Sequence, residues 1–143
     1  MLPFRLVTHN QLIVSRALTN NATVTANLDT NGADYATIVV NISSEANTNA
    51  VGPTISLLES DDTTASNFAT VTADITGDVI AAKPIVYGVD LRGRKRYLRV
   101  SVSAPTATND NITISADAIL SRMKQAPAGT TGIVSTNGVC RFV

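Results

Sequence analysis

Apolar and polar positions alternate with a period of two along most of the middle of this chain, the spacing of half-buried β-strands. In ATVTANLDT (22–30), Val24, Ala26 and Leu28 share one face, and Thr23, Thr25 and Asn27 the other. Asn31-Gly32 then marks a tight turn. ADYATIVVNIS (33–43) sets Tyr35, Val39 and Asn41 opposite Ile38, Val40 and Ile42. It is apolar on both sides near its centre, which predicts a strand in the middle of a sheet, with Val39 expected in or near the core together with Val71 and Ile114. SSEANTNAVGP (43–53) reads as a loop, TISLLES (54–60) as a strand, DDTTASN (61–67) as a turn and FATVTADIT (68–76) as another strand.

The pattern resumes after Pro84 with IVYGVDL (85–91), a turn at RGRK (92–95), and RYLRVSV (96–102) with Leu98, Val100 and Val102 inward. A loop at 104–111 precedes ITISADAIL (112–120). There Ala116, Ile119, Leu120 and Met123 also fit helical spacing, but the longer period-two run and the Ile-Thr-Ile start favour a strand. Short strands separated by turn signals predict an all-β, antiparallel β-sandwich, jelly-roll or Ig-like, with extended N- and C-terminal arms. The expected organisation is an N-terminal arm over 1–21, a sandwich domain over 22–123 and a C-terminal tail over 124–143. Both ends carry apolar pieces, among them Phe4, Leu6 and Phe142, that need something to cover them, either the domain or a neighbouring subunit.

Composition supports strands over helices. Thr, Ala, Val, Asn and Ser dominate, aromatic residues make up 4% of the chain, and Trp is absent. At 143 residues the chain is one ordinary domain that can form a core without staples. The lone Cys140 excludes an internal disulfide. The first residues lack a signal-peptide pattern, and no stretch approaches the roughly 20 apolar residues of a membrane span, so the expectation is a protein made in a cytoplasm with no membrane partner.

Charge is balanced, eleven basic against eleven acidic residues, yet five of the eleven basic ones fall within eight positions: Arg92, Arg94, Lys95, Arg96 and Arg99. Such a run suggests a phosphate grip. Against that stand the zero net charge, the lack of a wider basic field and the single aromatic residue, Tyr97, inside the run. A solvated turn or a contact with acidic protein surface fits better. Glu59, Asp61 and Asp62 offer such an acidic surface, expected on a neighbouring subunit or another protein, and they lack the full spacing of a calcium loop. The only histidine, His9, could in principle pair with Cys140 as a nucleophilic dyad, but both read better as isolated terminal residues. No motif asks for a metal or other cofactor, and the chain is expected not to be an enzyme.

DTNGADYATIVVNIS, ISLLESDDTTASNF, VYGVDLRGRKRYLRVSVS and NITISADAILSR, in that order over about residues 29–122, are similar to the layout of tailed-bacteriophage head decoration, or cement, proteins, with GRKRYLRV as the most specific piece. The resemblance implies a homotrimer on the capsid surface of the virion, bound to the assembled major capsid protein and bridging capsomers, with no nucleic-acid partner. A head-fibre or tail-associated module that binds a receptor or glycan is the alternative. The basic run, the acidic residues and Phe4, Leu6 and Phe142 are the expected contact residues.

Overall fold

The computed structural model describes residues 7–19, 21–45, 52–76, 84–105, 111–122 and 139–143. They form ten strands: β1 (Val7–Leu18), β2 (Thr23–Asp29), β3 (Tyr35–Glu45), β4 (Thr54–Ser60), β5 (Ala69–Thr70), β6 (Ile75–Thr76), β7 (Ile85–Asp90), β8 (Tyr97–Ser103), β9 (Asn111–Ser121) and β10 (Val139–Phe142). A single 3-10 turn at Ala65–Asn67 precedes β5.

One sheet has the order β1-β9-β3-β7-β10, the other β2-β8-β4-β5, with β6 also on β4. The antiparallel pairs β1–β9, β2–β8, β3–β7 and β4–β5/β6 nest one inside the next. They are one long hairpin rolled up on itself, with its tip at β4–β5. The sandwich is therefore a jelly roll. The ambiguous 112–120 segment is strand, paired with β3 over its whole length.

Alternation sets the core. Ile38, Val40, Tyr87, Val89, Ile112, Ile114, Ala116 and Ala118 of the first sheet face Leu28, Ile55, Leu57, Leu98, Val100 and Val102 of the second, all of them buried. Each large side chain so placed contributes roughly 1.5–3 kcal/mol. Tyr87 spans the layer, its hydroxyl donating to the Ile55 carbonyl at 3.4 Å. Val39 falls on the outward side, in register with Val86 and Asp117.

Three expectations change. Residues 7–18 are not an arm but the edge strand β1, paired with β9 from Val7 to Leu18. Register shifts between Gln11 and Ile13 and between Ile13 and Arg16 reset which residues face inward, so the segment shows no period of two. Phe4 and Leu6 lie outside the described residues. The end of the chain is not wholly a tail: β10 adds to β7 in parallel, and the Val143 N–H donates to the Gly88 carbonyl. Finally, the strand expected over 68–76 is split. Thr70 pairs with Leu58 and Ile75 with Ile55, so four residues on one strand bridge two on β4, and the excess bends out of the ladder.

Candidate functional site

The turns β2–β3, β4–β5 and β7–β8 all leave the sandwich at one end. Two of them are built alike. Ala33 N–H donates to the Thr30 carbonyl and Arg94 N–H to the Leu91 carbonyl, with Gly32 (φ +82) and Gly93 (φ +88) third in each turn, where a left-handed residue is required. Gly32 has a second constraint: the Arg122 guanidinium lies across it, with Nε donating to the Gly32 carbonyl. The β4–β5 turn is tied by Asp62. Its Oδ2 accepts from Asn67 Nδ2 at 2.8 Å and its Oδ1 from the Thr64 N–H at 2.8 Å; the first chiefly and the second after it hold its carboxyl below the usual range.

The structure brings the basic run to this end and pairs nearly all of it within the chain. Arg92 makes a bidentate contact with Asp90 (2.9 and 2.6 Å), and Arg96 does so with Asp29 (3.0 and 2.7 Å). Arg94 lies 3.7 Å from Glu59 and Lys95 3.7 Å from Asp61. Arg99 donates to Asn27 at 2.7 Å. Three guanidiniums also stack on rings: Arg92 over Tyr35 and Arg96 over Tyr97, each at 5.0 Å, and Arg99 over Phe68 at 3.7 Å. The hydrogen bonds from Arg92, first its side chain and then its backbone N–H, draw the Asp90 carboxyl down to about 2. Asp29 is lowered chiefly by Arg96, and Arg92 and Arg96 are raised in turn by their aspartates.

Glu59 is the exception in burial. Its register partner is Leu98, so it faces inward at the mouth of the sandwich, and its Oε2 is buried with no partner. The Tyr35 hydroxyl is likewise buried and unpartnered. Among the described residues this end holds six acids (Asp29, Asp34, Glu59, Asp61, Asp62, Asp90) and six bases (the five of the run and Arg122), so its charge sums to zero. The aromatic and aspartate partners were missed in the sequence. Asp90, two residues before Arg92 at the entry to the Leu91–Arg94 turn, was the readable one. Asp29 and Phe68 come together with their arginines only through strand pairing.

His9 and Cys140 are not brought together. His9 sits on β1 with Nε2 at 3.4 Å from Asp117 Oδ1, while β10 is at the opposite edge of the sheet, four strand spacings or about 19 Å away. Phe142 is in register with Gly88 on β10. Among the described residues no group of three or more His, Cys, Asp or Glu is arranged to hold a metal. A cavity of about 220 Å³ is lined by Thr8, Asn31, Gly32, Ala33, Leu120, Ser121 and Arg122. No helix among the described residues is long and apolar enough to cross a membrane. No protein-family model and no curated protein matches the chain.

Proposed function

We propose that this chain is a non-enzymatic virion structural protein, a capsid decoration protein that associates with copies of itself and binds the assembled major capsid protein. The observation that carries the reading is the difference between the two outer faces of the jelly roll. On the β2-β8-β4 sheet the outward rows Thr23–Ser103–Thr54 and Thr25–Ser101–Ser56 are all hydroxyls, and the next row is Asn27–Arg99–Leu58. The outer side of the other sheet mixes half-buried Val39 and Val86 and exposed Ile119 with polar Thr37, Asn41, Ser115 and Asp117, and exposed Val7 and Val14 lie on its edge strand β1. Among the described residues the exposed large apolar side chains, Val7, Val14 and Ile119, thus all fall on this one sheet, which fits a subunit that meets a protein shell there.

The charged end supports the same reading over a nucleic-acid grip. A phosphate would have to displace bidentate aspartates from Arg92 and Arg96. It also weighs against a glycan module, because arginines already occupy faces of Tyr35, Tyr97 and Phe68 that a sugar ring would use. Binding only the assembled shell stabilises it by linkage. Co-sedimentation with shells of the parent particle tests this. The chain should pellet with assembled shells and not with free capsid subunits. Val14→Asp combined with Ile119→Asp should weaken pelleting by about tenfold or more, equivalent to 1.4 kcal/mol. No shell binding, or binding unchanged in the double variant, would overturn the proposal.

A further inference from the structure

The nested pairs of the roll are complete without β10, and among the described residues β10 is the only parallel neighbour in either sheet. Its four residues pair with β7 alone, Val139 with Ile85 through Phe142 with Gly88, and Val143 continues the hydrogen bonding to Gly88 and Asp90. The acceptor edge is suited to a strand. β7 runs without a register shift against β3, and Gly88 places no side chain beside Phe142 in the ladder. The edge at the other side of the same sheet is guarded instead, by the two shifts in β1 and by charged Arg16.

Seventeen residues, 122–138, separate β10 from the end of β9, and Gly and Thr are the commonest among them, three of each. A relaxed chain of that length spans roughly 22 Å and a taut one about 50 Å. Reaching the chain's own β7 means returning the length of the sheet and crossing three strand spacings, about 14 Å sideways. A second copy that packs with its β7 edge within that span would offer the strand an equivalent acceptor. Both acceptors offer the same ladder, but only the second joins two molecules.

We infer that β10 is a donor strand which, when copies pack side by side, adds to the β7 edge of a second copy and ties the assembly together. This rests only on the self-association in the proposed function and needs no capsid. The single native cysteine makes it testable, because Cys140 is in register with Val86. A chain carrying Val86→Cys and Cys140→Ser is mixed with the unaltered chain, from about 1 μM to about 1 mM, bracketing the effective concentration of a short tether. Mild oxidation then traps neighbouring thiols, since strand spacing lies within disulfide reach. The inference expects a mixed disulfide between the two chains at the upper end of the range. It should exceed by about tenfold that from a control with Val14→Cys in place of Val86→Cys, because encounter at an exposed site lacks the ladder's effective concentration. No mixed disulfide, or equal linkage at Val14→Cys, overturns it. So does a chain with Val86→Cys and native Cys140 that links only within itself at every concentration. Failure of shell binding would leave all these readouts unchanged.

Discussion

Glu59 should lower the stability of the protein that contains it. Its side chain is 18% exposed, and its compensating charge, on Arg94, is 3.7 Å away. At an effective dielectric near 20 that separation is worth roughly 4 kcal/mol of attraction. Removing the two ions from water costs several kcal/mol each, and Oε2 has no partner to offset its share. The electrostatic balance is therefore near zero or unfavourable. Glu59→Leu would put an apolar side chain next to Leu98 and toward the core, where a buried leucine contributes about 2 kcal/mol. Arg94, already 29% exposed, can turn its head to water and keep its stem packed. The expected outcome is a gain of about 1–2 kcal/mol, or a rise in Tm of about 3–8 °C for a domain of this size. Urea unfolding followed by circular dichroism measures it as a higher midpoint at unchanged slope. A loss of about 1 kcal/mol or more would refute the reasoning and make the Arg94 pair a net stabiliser. If the gain is found, Glu59 acts by placing Arg94 and not by holding the fold.

Val100 is buried between Leu57 and Ala26 across its two ladders, so Val100→Ala should cost about 1–3 kcal/mol in the same urea assay. The carboxyls of Asp29, Asp62 and Asp90 are all lowered, so the stability they contribute is complete above the ordinary aspartate value near 3.9 and is lost as pH falls toward about 2. The urea midpoint should decline over that window, less so in Asp90→Asn, and a midpoint that falls mainly above pH 5 would contradict it. Neither single- nor double-stranded DNA should bind at micromolar concentration in physiological salt. Tight, steeply salt-dependent binding that disappears with Arg94→Gln and Lys95→Gln would make the run a phosphate grip after all.

The sandwich was legible because its strands alternate. Val24-Ala26-Leu28 and Leu98-Val100-Val102 each lie on the inward face of their strands, and Asn31-Gly32 makes the expected turn. β1 was not legible for a physical reason. An edge strand buries little, here Ile13 and Leu18, and its register shifts destroy the period that reveals a strand. Val39 misled in the other direction. In the centre of a sheet both faces can be apolar, so hydrophobicity alone does not say which side meets the core. The sequence placed Val39 with the core residues, and pairing puts it outside.

The basic run shows why local charge density is a poor guide to what a surface does. From sequence, Asp90 is the only acid adjoining the five cations in eight positions, and the acids of ESDD read as available to another molecule. Folding rolls the hairpin so that the β4–β5 and β2–β3 turns arrive beside the β7–β8 turn. Glu59 and Asp61 then face Arg94 and Lys95 in the same chain, and Asp29 reaches Arg96 across the β2–β8 ladder. The exposed pairs contribute little to stability. Their effect is on the field: a patch that would attract phosphate at long range becomes a set of short dipoles that do not. What remains at the surface is a group of arginines fixed by aspartates and rings, with their entropy already spent. A shaped protein partner would find these side chains already ordered, whereas a polyanion would first have to displace their aspartates.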